Sequence, residues 1–277
     1  MRIAAALLGL LGLATALAGI RMGGEEPAAS AALPAGLLPG EVLERAEFAL
    51  IDARYAPPDA EIIESAGLAT FTTNGKWADS ALPVPVRYVF ATDPRDLTGF
   101  GSLLWAMRRW EAVGGQKLRL GYTGAFATGP TVTCTDRDRD GFHTVSFNRL
   151  SGHLLGTTCV FFAVSPGTQV RRILEFDMEL TTEVPWSVSD TTDPGTFDLP
   201  TVMLHEMGHA IGLGHSPMAG SVMQEALSPG TQFRVPSADD QEGLLSLYAD
   251  ATAKPVTPIA VPPAAYSKRR LPALAHE

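Results

Sequence analysis

Leu174, Phe176, Met178 and Leu180 alternate with Glu175, Asp177 and Glu179. Successive side chains on a strand change face, so this stretch predicts a β-strand over 173–180, with one side covered and the other in water. Val84 to Phe90 alternates in the same way, with Pro85 at its entrance. Phe100, Leu103, Leu104, Met107 and Trp110 recur instead at helical spacing. They predict a helix over 97–113 with one buried stripe, and with Arg108, Arg109 and Glu111 facing water. Shorter runs at 118–122, 145–147 and 160–164 predict further strands. Pro200 starts a second helix where its missing N–H costs nothing, and Asp198 is a candidate cap just before it.

The ends of the chain lack such periods. Residues 1–18 read as a signal peptide, with Arg2, an apolar run from Ile3 to Leu17 and the small-x-small ending Ala16-Leu17-Ala18. A short membrane anchor is the alternative, but the run is near the lower limit for spanning and no basic stop-transfer cluster follows. The expectation is a protein secreted to the extracellular space or periplasm, without stable membrane insertion. Residues 19–69 read as a flexible N-terminal segment or propeptide. The part to about residue 45 is rich in Ala, Gly, Pro and Glu, and 41–66 is a weakly apolar stretch broken by Pro57-Pro58. That stretch is either a small propeptide or a dressing on the domain surface. The compact domain is expected over 70–250, followed by a Pro/Ala-rich tail over 251–277.

Composition narrows the class. The 277 residues suffice for one good-sized domain with appendages or for two small ones. A formal net charge of -9 argues against a nucleic-acid partner, since phosphate binding draws on a positive field. Cys134 and Cys159 are the two cysteines. In an oxidising compartment they are expected to pair, the alternative being two separate buried thiols. The short, lightly charged leader and the absence of N-x-[ST] acceptors fit a bacterial source.

The segment LHEMGHAIGLGH carries the chemistry. His205 and His209 are four apart, so on a helix both rings lie on one face and can share a metal. Glu206 lies beside them, placed to touch a metal-bound water rather than the metal. Gly212 and Gly214 let the chain turn sharply and bring His215 round as a third nitrogen donor. Three protein ligands and an open position make a catalytic zinc site rather than a structural one.

The run from His205 to His215 matches the metzincin zinc signature, and Ser216 after it resembles the matrixin (matrix metalloproteinase-like) branch. Phe197-Asp198-Leu199, Ser221-Val222-Met223, Asp239-Asp240, Gly243, Leu247 and Tyr248 are similar to the matrixin pattern, and Trp77 and Arg108-Arg109-Trp110 fit it more loosely. The resemblance covers roughly 70–250 and is strong from 172 onward. It implies an α+β metzincin fold, a twisted mixed sheet with two main helices and a C-terminal helix. It also implies that Met223 is the Met-turn residue beneath the zinc, packed under the histidines without being a ligand. Two features depart from animal matrixins. Both cysteines lie inside the catalytic domain, which argues against a thiol latency switch, and only His143 and His153 are at hand for a second, structural zinc.

Asp136, Asp138 and Asp140, ending at Gly141, resemble the front half of a calcium loop, but Phe147 stands where the closing glutamate belongs. Calcium on these carboxylates competes with a charged hairpin turn offset by Arg137 and Arg139. The reaction expected from the whole is zinc-dependent cleavage of internal peptide bonds in a polypeptide substrate. Glu206 takes a proton from the zinc-bound water and returns it to the leaving amine. A strand upstream of the zinc helix, within 158–164, is expected to be exposed and to pair with the extended peptide. An inactive zinc-binding module and amide cleavage in a cell-wall peptide are the rival readings. The sequence sets no oligomeric state.

Overall fold

The computed structural model describes residues 36–56, 71–90, 95–126, 134, 139–167 and 171–249. The expected signal peptide over 1–18, the expected tail over 251–277, Asp136 and Asp138 lie outside the described residues. In chain order the longer elements are β1 (Val42–Asp52), β2 (Lys76–Trp77), β3 (Val84–Val89), α1 (Asp96–Gly114), β4 (Leu120–Phe126), β5 (His143–Asn148), β6 (Leu154–Val164) and β7 (Arg171–Thr181). They continue with β8 (Trp186–Ser187), β9 (Phe197–Asp198), α2 (Leu199–Ala210), β10 (Ala226–Leu227) and α3 (Ala238–Tyr248). The fold is a mixed α+β arrangement. Its main sheet runs β10-β1-β6-β7-β5-β3-β4, with β2 also paired to β7. Strands β4, β3, β5 and β7 are parallel, whereas β6 is antiparallel to both β7 and β1.

One hydrophobic cluster joins sheet and helices. Val84, Val86, Tyr88, Phe176, Met178 and Leu180 meet Leu103, Met107 and Trp110 of α1 and Val202, Met203 and Met207 of α2. Two tryptophans tie the zinc-motif helix into this core, each donating its indole N–H to a buried carbonyl. Trp110 reaches Leu204 O at 2.8 Å and Trp77 reaches Ala210 O at 2.9 Å. A buried indole keeps its packing area only if its N–H finds such an acceptor. Every residue of α2 is buried. As expected, Asp198 caps this helix, accepting from the Thr201 backbone N–H at 3.1 Å, with Pro200 in its first turn.

Four expectations change. The acidic face of β7 is covered: Glu175, Asp177 and Glu179 are each at most 3% exposed. Their carboxylates serve loop N–H groups that would otherwise be orphaned, because Cys134 donates to Glu179 and both Asp140 and Gly141 donate to Glu175. Arg109 is also buried rather than facing water, its guanidinium 4.9 Å from the Trp105 ring. Residues 42–52, expected within a flexible N-terminal segment or propeptide, form a full sheet strand. The expected open edge at 158–164 is therefore closed, since β1 pairs with β6 along its length. Ala46 and Phe48 are half-buried and Leu50 buried, whereas Arg45 and Glu47 are exposed. Three inward positions, interrupted by Glu47 and Ala49, gave too weak a period to stand out, and pairing with β6 supplies the rest.

Candidate metal centre

Helix α2 places His205 and His209 on one face, and the turn after it brings His215 back to them. A ligand nitrogen from each of the three lies within 4.8 Å of the others. The turn needs its glycines. Gly212 has φ +107°, and a Cβ there would strike Gly75 O, while one on Gly214 would strike Thr72 Oγ1.

Backbone carbonyls fix the imidazole tautomers. His205 Nδ1 lies 2.8 Å from Val222 O, and His209 Nδ1 lies 2.9 Å from Leu213 O. A carbonyl only accepts, so both Nδ1 atoms carry the proton and both Nε2 atoms present lone pairs. Those two Nε2 atoms are 2.9 Å apart. Two lone pairs at that distance repel unless a cation shares them. His215 Nε2 is likewise buried with no hydrogen-bond partner among the described residues. Burial holds all three histidines below the ordinary imidazole range, His205 at about 3, so none is kept protonated at neutral pH. Neutral nitrogen donors turned inward fit a zinc ion.

Glu206 sits beside this cluster and is fully buried. Its Oε2 accepts from Thr158 Oγ1 at 2.7 Å, while Oε1 has no partner among the described residues. Burial pushes the carboxyl up to about 8, opposed by hydrogen bonds from the Thr158 hydroxyl and the Leu50 backbone N–H. A cation at the histidines would favour the ionised form instead.

Met223 lies under the helix, 1% exposed, and a Cβ on Gly208 would collide with its sulfur. The turn carrying it is held from α3. Asp239 accepts from Ser216 Oγ at 2.6 Å, and Asp240 accepts from Ser221 Oγ and, at 2.9 Å, from the Val222 N–H. Asp240 thereby fixes the residue whose carbonyl orients His205.

The remaining expected residues lie apart from the triad. Cys134 and Cys159 form a disulfide. Asp140 accepts from the Phe142 N–H at 2.8 Å. His143 is packed against the rings of Trp77 and Phe176, and His153 is stacked on Tyr55. Sequence reasoning missed Thr158, Gly156 and Phe48, whose ring stacks on His209 with centroids 4.5 Å apart. All three reach the site through strand pairing between distant segments, for which the local sequence carries no signal.

Residues 153–249 match the Matrixin family model of peptidases. The match supports membership of the matrixin family. Among similar proteins, matrix metalloproteinase-25 of Mus musculus is 38% identical over 83 residues, covering 28% of this chain and 13% of that protein. Metalloendoproteinase 1-MMP of Arabidopsis thaliana is 45% identical over 51 residues, 18% of this chain and 14% of that protein. Stromelysin-3 of Xenopus laevis is 37% identical over 91 residues, 32% of this chain and 17% of that protein. The chain thus spans under a fifth of the length of these matrixin relatives. They are animal and plant proteins and lend nothing to a bacterial source. Among the described residues no helix is long and apolar enough to cross a membrane.

Proposed function

We propose that this chain is a secreted zinc-dependent endopeptidase with a metzincin fold, its metal held by His205, His209 and His215 and its general base being Glu206. The observation that carries the reading is the convergence of three neutral imidazole nitrogens beside a buried carboxylate whose Oε1 is left unpaired. Zinc, when bound, supplies a Lewis acid that polarises the scissile carbonyl.

The chain's own groups do the rest. Glu206 Oε1 takes a proton from the attacking water and passes it to the departing amine. Thr158 holds the other carboxylate oxygen, so the base keeps one orientation. Val222 and Leu213 keep the two helix histidines in the ligating tautomer, and Met223 fills the space below them. Strand β6 runs past the carboxylate, its two edges taken up by β1 and β7. The match to the Matrixin family model supports cutting within chains rather than at their ends. The leader read in residues 1–18 supports secretion.

The test is digestion of a denatured protein mixture by the purified, zinc-loaded protein, with the cut positions read by mass. Internal cuts that a chelator abolishes are expected. Glu206→Gln should retain one zinc per chain and lose at least about 10²-fold in turnover. Undiminished cutting by that variant would remove Glu206 from the mechanism.

A further inference from the structure

Residues 72–75 run antiparallel along the turn that carries the third histidine. Thr73 lies opposite Leu213, and two bonds of 2.8 Å bracket that pair, from the Asn74 N–H to Gly212 O and from the Gly214 N–H to Thr72 O. A third bond closes the contact at its end, where Thr72 Oγ1 donates to His215 O at 2.8 Å. Gly212 and Gly214 serve this approach as well as the turn. The atoms that a Cβ on them would strike, Gly75 O and Thr72 Oγ1, belong to the same four residues.

The three ligands are not held alike. His205 and His209 are each fixed by a carbonyl at Nδ1, whereas His215 Nε2 is buried without a partner and no carbonyl holds its ring among the described residues. Its direction is therefore set from the main chain. The Gly214 N–H before it goes to Thr72 O, its own carbonyl takes the Thr72 hydroxyl, and the Ser216 N–H after it goes to Met223 O at 2.9 Å. Planar peptide groups pinned on both sides of a Cα leave its side chain one direction.

The same four residues reach a second ligand. The carbonyl that bonds His209 Nδ1 at 2.9 Å belongs to Leu213, the residue that Thr73 faces. Downstream the segment is anchored by Trp77, whose indole N–H donates to Ala210 O next to His209 and whose backbone N–H donates to Tyr248 Oη at 3.2 Å. One end thus grips the ligand turn and the other the ligand helix.

Resting on the zinc endopeptidase reading above, we propose that residues 72–75 are a strap that sets two of the three metal ligands, with Thr72 the positioning residue for His215. Thr72 acts through the peptide groups that flank His215, and Thr73 acts through Leu213. Together they hold the third imidazole where the two on the helix converge. Such partners behind a ligand govern metal affinity, and by reciprocity zinc steadies the strap as much as the strap steadies the ligands.

The test compares Thr72→Val and Thr72→Ser with the parent, by zinc titration against a competing chelator and by the visible spectrum of cobalt(II) bound in place of zinc. Thr72 is exposed, so valine leaves the core intact. Thr72→Val should bind zinc about tenfold more weakly and show an altered cobalt spectrum, with the metal-free unfolding midpoint of the parent. Thr72→Ser keeps the hydroxyl and should restore both. Parental affinity and spectrum in Thr72→Val would mean that water replaces the hydroxyl, which overturns the inference, as does an equal loss in Thr72→Ser. A second measurement needs no variant. Zinc should slow hydrogen exchange at the Asn74 and Gly214 amides by about tenfold, and unchanged exchange at both overturns the strap. None of these readouts uses turnover. A parent that binds zinc and cuts no protein overturns the endopeptidase reading and spares the strap, whereas a parent that binds no zinc overturns both.

Discussion

Gly156 of β6 lies against the carboxylate of Glu206, so that a Cβ on it would stand 2.6 Å from Oε1 and 2.8 Å from Cγ. Real side chains do not approach so closely, and the carboxylate would have to move. Gly156→Ala is expected to retain zinc and to lose about 10²-fold in kcat/KM, since displacement of a reacting group by an ångström costs that much. Steady-state kinetics beside a zinc titration check this, and wild-type kinetics would mean that β6 yields instead.

Metal removal should destabilise the fold without abolishing it. The lone pairs of His205 and His209, 2.9 Å apart, are relieved by a cation, while the core around Trp110 does not depend on one. Zinc at 1,000 times its Kd should contribute about 4 kcal/mol by mass action. Scanning calorimetry with zinc and with chelator reads the difference, and equal midpoints would mean that the triad holds no metal.

Asp198 caps α2 and also pairs with Arg234, whose Nε lies 2.9 Å from Oδ2. The carboxylate is fully buried and the Arg234 side chain 19% exposed. Asp198→Ala removes the acceptor of the helix start and leaves the guanidinium with the Ser189 carbonyl alone. A loss of about 3 kcal/mol in urea unfolding is expected, as for other broken buried pairs. A loss below about 1 kcal/mol would mean that water replaces the carboxylate.

Asp177 is expected to make stability fall as pH rises. Burial, then the charges of Glu175 and Asp140, push its carboxyl up to about 8 from an ordinary 3.8, against a hydrogen bond from the Thr144 N–H and with Glu179 adding to the rise. The folded protein thus keeps a proton that the unfolded chain has lost, and the stability it contributes disappears between about pH 4 and pH 8. Asp177→Asn removes the titration. Its unfolding midpoint relative to the parent should rise from pH 5 to pH 8.5, and a constant difference would exclude the shift.

Much of the architecture was legible because it is written locally. The alternation of Leu174, Phe176, Met178 and Leu180 marked β7, and the spacing of Leu103, Met107 and Trp110 marked α1. What periodicity cannot tell is what covers the second face of an element. Glu175, Asp177 and Glu179 read as solvent-facing, yet loop N–H groups distant in sequence need them as acceptors. Arg109 misled in the same way, because the Trp105 ring allows a guanidinium to be buried against it.

By itself the sequence determined the candidate metal ligands and the base. The four-residue spacing of His205 and His209 and the glycines before His215 act through the geometry of one helix and the turn after it. Tertiary structure alone decided that Thr158 and Gly156 frame Glu206, that Asp240 steadies the carbonyl behind His205, and that residues 42–52 pair with β6. Each of those depends on which strand pairs with which and in what register, and pairing between distant segments follows from burial over the whole chain rather than from any local pattern.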